Sequence, residues 1–81
     1  MEGIFDREQR YSNLSYAISY YRKRKGLSQE QLAEKLGISR QHLASIEAPN
    51  MNRELSLDLL FNIAAALEIE SFLLLKFNPE E

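Results

Sequence analysis

The stretch KLGISRQH, residues 35 to 42, places the end of one helix and the start of another within three residues. Gly37 can adopt the left-handed backbone conformation that ends many helices, and Ser39 is a favourable N-cap for a helix that follows. The second helix would open with three long polar side chains, those of Arg40, Gln41 and His42. The pattern therefore predicts either a plain corner between two packed helices or a corner that directs these side chains toward a binding partner.

Helical patterns precede this corner. Apolar residues at helical spacing predict a first helix from about Ser12 to Gly26, and residues 1–11 form either a loose arm or a short extra turn before it. Ser28 and Gln31 have the spacing of a capping box, which predicts the start of the second helix.

Further helices follow the corner. Pro49 disfavours helical geometry at the preceding residue, so the third helix should end near Glu47. A fourth helix, capped by Ser56, should run to about Leu67 with this inner stripe: Leu57, Leu60, Phe61, Ala64 and Leu67. The last apolar segment, ESFLLLKF, reads as a fifth helix capped by Ser71, with a buried strand as the alternative.

Length and composition exclude several classes of protein. The 81 residues allow one small domain, and with no cysteine and one histidine they offer neither a disulfide framework nor a metal or cofactor site. A catalytic set of convergent side chains is also missing, so we expect no enzyme. The sequence shows no signal peptide and no apolar run of the ~20 residues that span a bilayer, which predicts a cytoplasmic protein with no membrane partner.

The formal net charge of −2 hides an uneven distribution of charge. Residues 22–45 carry six cations against two acids, whereas residues 54–81 carry six acids against one lysine. A basic run of this kind is usually a solvated helix end, and it is also the electrostatic pattern of a surface that binds nucleic acid.

Residues 27–47, LSQEQLAEKLGISRQHLASIE, closely resemble the helix-turn-helix of the Cro/repressor family, the XRE-type regulators. The resemblance includes the small Ala33, the turn residue Gly37, the apolar Leu43 and Ile46, and the closing Glu47. It extends over roughly residues 12–75, with SLDLLFNIAAALEI matching the family's fourth helix.

The resemblance implies an all-α, lambda-repressor-like bundle of four to five short helices. Residues 12–69 would form the DNA-binding domain, and residues 70–81 would form an apolar C-terminal helix and a short tail. Burial of Leu43 and Ile46 would turn Arg40, Gln41 and Ser45 outward, and a helix held in this way can enter a major groove about 12 Å wide.

The family pattern assigns a role to each candidate residue. Base readers would be Arg40, Gln41 and Ser45, with His42 touching a base or a phosphate. Gln29 matches a position that grips a backbone phosphate, and further candidates for phosphate contacts are Ser28, Ser39, Asn50 and Arg53. Arg22 and Glu47 match positions that form a structural ion pair, although Arg22 could instead belong to the basic run.

The sequence departs from the family pattern in two loops and at its apolar C-terminus. The segment APN lengthens the loop after Glu47, which puts the roles of Asn50 and Arg53 in doubt, and Glu68 replaces a common glycine. The second apolar side of the fourth helix and the segment ESFLLLKF predict a homodimer with this interface: Leu59, Ile63, Phe72, Leu74 and Phe77.

The resulting hypothesis is a sequence-specific regulator that binds double-stranded DNA, acting as a small dimeric repressor. One alternative is an antitoxin with a toxin as its protein partner. Another is an adaptor for protein–protein contacts that has kept the fold and lost DNA binding, which the acidic net charge favours mildly.

Overall fold

Five α-helices form the fold in a computed structural model of the chain, which describes residues 3–49 and 55–79. In chain order they are α1 (Arg7–Arg24), α2 (Gln29–Leu36), α3 (Arg40–Glu47), α4 (Leu57–Leu67) and α5 (Ser71–Lys76). Neither described range contains a strand, so the all-α prediction is confirmed and the last apolar segment is a helix. Within the same ranges, no helix combines the length and the hydropathy that crossing a membrane requires.

The ends of α2 and the start of α3 follow the predicted local chemistry. The Ser28 hydroxyl oxygen accepts the Gln31 backbone N–H at 3.0 Å, and the Gln31 side chain accepts the Ser28 N–H at 2.8 Å. Gly37 ends α2 with a φ of 70°, a conformation that costs glycine little. The Ser39 hydroxyl oxygen then accepts the His42 N–H at 2.9 Å, so α3 begins where predicted.

Helix α1 begins earlier than the sequence pattern predicts, at Arg7 and not near Ser12. Asp6 is its N-cap and accepts the Gln9 N–H at 3.1 Å. The first turns hold good helix formers but no apolar stripe, so the capping signal, and not the hydrophobic period, marks this start. The predicted boundary at residue 12 therefore falls inside a continuous helix.

The core lies between α1, α2, α3 and α4, with α5 packed on α1 and α4. Its fully buried large side chains come from all five helices and are Ile18, Leu32, Leu43, Ile63 and Leu74. Ser15 adds a buried polar link, because its hydroxyl donates to the Ile46 carbonyl at 2.7 Å and joins α1 to α3.

The inner face of α4 differs from the prediction. Its buried residues are Leu60, Ile63, Ala64 and Leu67, whereas Leu57 and Phe61 are 66% and 52% exposed. All but two of its 11 residues are apolar, so periodicity alone does not fix which side faces inward. Contacts with α1, α2 and α5 select the side that carries Ile63.

The predicted dimer interface needs a correction at two of its five residues, because the sequence does not show which side of each apolar helix is buried. Ile63 and Leu74 are buried in the chain's own core and cannot form an exposed interface. Leu59 and Phe77 are partly buried and pack against that core, and only Phe72, 56% exposed, stands on the surface as predicted.

The start of α5 also differs by one residue. Glu70, and not Ser71, occupies the N-cap position, and it makes no side-chain capping hydrogen bond. Phe77 follows the helix and packs against Tyr20 and Tyr21 of α1, with ring centroids 5.3 and 6.2 Å apart. These contacts attach the C-terminal segment to the same core as the preceding helices.

Candidate nucleic-acid interface

Helix α3 is held with one side inward and its N-terminal end outward. Leu43 and Ile46 are buried against the core, while Arg40 and Gln41 are exposed in the first turn. Because Leu43 and Ile46 both face the core, their packing fixes the rotation of this short helix, and with it the direction in which Arg40 and Gln41 leave the first turn. The predicted outward projection is therefore present for Arg40 and Gln41, whereas Ser45, which was also predicted to turn outward, is half-buried.

The turn before α3 is fixed by short backbone hydrogen bonds. Ile38 N–H donates to the Ala33 carbonyl at 3.0 Å, and Gly37 N–H donates to the Glu34 carbonyl at 3.2 Å. Ala33 itself is buried, and α2 and α3 pack against each other. Helix α3 is thus attached to α2 without a flexible linker.

Ser45 and His42, the other candidate readers on α3, are half-buried. The Ser45 hydroxyl donates to the His42 carbonyl at 2.7 Å. Its hydrogen is therefore used inside the helix, and the oxygen is what remains to accept a hydrogen bond from a base.

Ser28 and Ser39, both exposed, are the N-caps of α2 and α3. Each hydroxyl oxygen accepts a backbone N–H, which leaves its O–H hydrogen to donate to an anion. Asn50 and Arg53, the remaining candidates for phosphate contacts, lie outside the described residues.

Arg22 and Glu47 form the ion pair that their positions suggested. Arg22 Nε lies 2.7 Å from Glu47 Oε2 and Arg22 Nη2 lies 3.0 Å from Glu47 Oε1, which is a bidentate geometry. Arg22 Nη1 also donates to the Leu27 carbonyl at 2.7 Å. The pair joins the end of α1, the turn before α2 and the end of α3.

Gln29, the first residue of α2, belongs to the same network. Its side-chain nitrogen donates to Glu47 Oε1 at 3.2 Å. This contact was not predicted, because the two residues are 18 positions apart and nothing in either local pattern connects them.

Two serines of α1 that sequence reasoning missed also hold the end of α3. Ser15 bonds the Ile46 carbonyl, and the Ser12 hydroxyl donates to the Pro49 carbonyl at 2.9 Å. The only available signal was the presence of small polar residues on the inner side of an amphipathic helix.

The charge of the basic run at the end of α1, residues 22–25, is partly neutralised by acidic side chains. Lys25 Nζ lies 3.0 Å from Glu68 Oε1, and the Lys25 hydrogen bond and charge hold the pKa of Glu68 below its ordinary value. Lys23 and Arg24 are exposed, and Arg24 donates to the Tyr20 hydroxyl at 3.1 Å. In the described part of the chain, no three His, Cys, Asp or Glu side chains are grouped to hold a metal ion.

The chain belongs to the helix-turn-helix family HTH_3, whose pattern it matches over residues 18–74. It is a DNA-binding domain of the Cro/repressor type, and the family is one of regulators and not of enzymes.

Among known relatives, the chain is 40% identical over 63 residues to the HTH-type transcriptional regulator SinR of Bacillus subtilis (strain 168). That alignment covers 78% of this chain and 56% of the relative, so the chain spans little more than half of the regulator's length.

Two solved structures are similar over most of the chain. The hypothetical transcription factor NHTF from Neisseria matches with a TM-score of 0.78 and 28% identity, covering 99% of this chain and 86% of that one. The biofilm master regulator SinR in complex with DNA matches with a TM-score of 0.70 and 36% identity, covering 78% and 98%.

Proposed function

We propose that this chain is a sequence-specific transcriptional regulator that binds double-stranded DNA through α2 and α3. The observation that carries the proposal is the orientation of α3, with Leu43 and Ile46 buried and Arg40 and Gln41 projecting from its first turn. Side chains at the N-terminal end of such a helix can reach base edges in a major groove. A protein of this kind acts where the DNA is, so a cytoplasmic location belongs to the same proposal.

The chemistry of the projecting side chains suggests which bases they read. Arg40 can donate two hydrogen bonds to guanine O6 and N7, and Gln41 can pair with adenine N6 and N7. Ser45 lies further along α3 and would accept from a base, while His42 would contact a base or a phosphate. Arg40 and Gln41 therefore account for most of the proposed sequence preference.

Phosphate contacts would position the recognition helix without reading sequence. Gln29, Ser28 and Ser39 lie at the N-termini of α2 and α3, where backbone N–H groups and the helix dipole favour an anion. The basic run at the end of α1 would add attraction, and the acidic C-terminal half would face away from the DNA.

The working unit that we propose is a homodimer. Exposed apolar side chains on α4 and α5 replace the interface predicted from the sequence, and in this proposal they form one apolar stripe: Leu57, Phe61, Phe72 and Leu75. Leu57 and Leu75 line the same cleft. A twofold axis would bring the same stripe of two copies together, as in an isologous interface. Two recognition helices ~34 Å apart would then read half-sites one turn of DNA apart.

A second copy is the occupant that best matches this stripe, because a dimer also doubles the DNA contacts. The other occupants are a toxin, if the chain is an antitoxin, or the partner of an adaptor. Sedimentation of the purified chain distinguishes them, since a single 9.4 kDa species at micromolar concentration would contradict the homodimer.

Selection from a pool of random duplexes tests the proposed function. We expect enrichment of one sequence with two related half-sites, and an Arg40→Ala variant should lose preference at one position of each half-site. A chain that enriches no sequence and binds no duplex at low salt would instead be an adaptor. Co-purification of a different protein that covers the apolar stripe would support the antitoxin alternative.

A further inference from the structure

Three N–H groups from two helices converge on the carboxylate of Glu47. Arg22 supplies two of them, from Nε at 2.7 Å and from Nη2 at 3.0 Å, and Gln29 Nε2 supplies the third at 3.2 Å. The side chains of Arg22 and Glu47 are only 9% and 4% exposed. Water therefore has little access to this carboxylate. The side chain of Gln29, which is only partly buried, bonds one of its oxygens.

The bond to Glu47 fixes which way the amide of Gln29 faces. A glutamine amide nitrogen has two hydrogens, and one of them is used by Glu47 Oε1. Because the amide group is planar, the direction of the second hydrogen is then set as well. A glutamine without this partner would sample several rotamers and would have to be ordered when an anion binds.

The backbone around Gln29 offers donors at the same place. In the first turn of α2, the Gln31 N–H bonds the Ser28 hydroxyl oxygen and the Leu32 N–H bonds the Ser28 carbonyl. The first N–H groups of a helix, here those of Gln29 and Glu30, have no partner within the helix. Two backbone donors and one amide hydrogen can therefore meet an anion at the start of α2.

We propose that Glu47 is a positioning residue for DNA binding, which orients the Gln29 amide toward a backbone phosphate. The positive charge of Arg22 neutralises the carboxylate, so Glu47 can hold Gln29 without repelling the phosphate. This inference rests on the proposed function and extends it, because it assigns to the buried pair a role in affinity as well as in folding.

A double-mutant cycle on a generic duplex tests the proposal. Gln29→Ala should weaken binding by about tenfold, the scale of one hydrogen bond to a charged group. Glu47→Ala should weaken it to a similar extent, because it removes the carboxylate oxygen that holds the Gln29 amide. The double variant should be no weaker than either single variant, and losses that multiply would overturn the proposal.

Ser15→Ala is the matched structural control. It removes the buried bond from α1 to the Ile46 carbonyl, next to Glu47, without touching Gln29. Circular dichroism gives the folded fraction of every variant, by which each affinity is corrected. Ser15→Ala should lower the melting temperature and leave the affinity of the folded protein unchanged. A drop in affinity equal to that of Glu47→Ala would mean that general loosening explains both.

A measurement on the unmodified chain covers the case in which Glu47→Ala does not fold. In a nuclear magnetic resonance titration with duplex DNA, one Gln29 side-chain amide proton should keep its shift and the other should move. Movement of both protons to the values of a free amide would show that Gln29 leaves Glu47 on binding, which overturns the inference. A wild-type chain that binds no duplex would instead refute the proposed function itself.

Discussion

Replacement of Glu47 by alanine should be the most destabilising single change at the helix-turn-helix corner. The variant would leave the Arg22 guanidinium buried without its carboxylate, and it would remove two hydrogen bonds from Arg22 and one from Gln29. Breaking one partner of a buried ion pair costs ~3–5 kcal/mol, mostly because the remaining charge is left without compensation.

That loss is large for a domain of this size. At about 0.05–0.15 kcal/mol per residue, a chain of 81 residues has a total stability of ~4–12 kcal/mol. Each kcal/mol shifts the melting temperature of such a domain by about 4–8 °C, so we expect Glu47→Ala to lower it by at least ~12 °C. Thermal and urea unfolding, followed by the helical circular dichroism signal, measure both quantities.

Two further variants test whether the loss of stability in Glu47→Ala comes from leaving a buried charge without its partner. The double variant Arg22→Met/Glu47→Leu should recover most of the stability, because apolar side chains of similar size need no compensation. Lys25→Ala breaks the exposed pair with Glu68 and should change the melting temperature little. A loss below ~1 kcal/mol for Glu47→Ala would refute the reasoning, since the buried pair would then behave like one on the surface.

Three other predictions concern readout, assembly and a strained helix end. Arg40→Ala should cost ~1–3 kcal/mol on the selected duplex and little on a generic one, as measured by fluorescence anisotropy. Phe72→Glu should convert the dimer into a folded 9.4 kDa monomer in sedimentation, whereas Leu74→Glu should unfold the chain because Leu74 is in the core. Glu68→Gly should raise the melting temperature, because glycine adopts the φ of 58° at the end of α4 without strain, and this gain exceeds the small contribution of the exposed pair with Lys25. The lowered pKa of Glu68 means that its bond with Lys25 stabilises the fold at neutral pH and is lost as the pH falls through that pKa.

The corner between α2 and α3 could be predicted from the sequence because its signals are local. The capping box at Ser28, the glycine at position 37 and the cap at Ser39 each act within a few residues, and the structure contains all three. The resemblance to a known family then supplied the partners of the ion pair, which are 25 residues apart.

Features that depend on packing could not be predicted in the same way. Helix α4 is apolar on nearly every side, so only its contacts with other helices decide that Ile63 is buried and Phe61 exposed. The start of α1 lacks an apolar stripe, and its acidic cap at Asp6 was the one local signal for it. The bond from Gln29 to Glu47 depends on how α2 meets α3, which no local pattern encodes.

The most direct test of the account is a competition between two duplexes of equal length, the selected sequence and a scrambled version, measured over a range of salt concentrations. We predict that the wild-type chain prefers the selected duplex by ~10³-fold or more and that both affinities fall steeply with salt. Arg40→Ala should reduce that preference while leaving the slope with salt unchanged. Equal affinity of the wild-type chain for the two duplexes at every salt concentration would contradict the account.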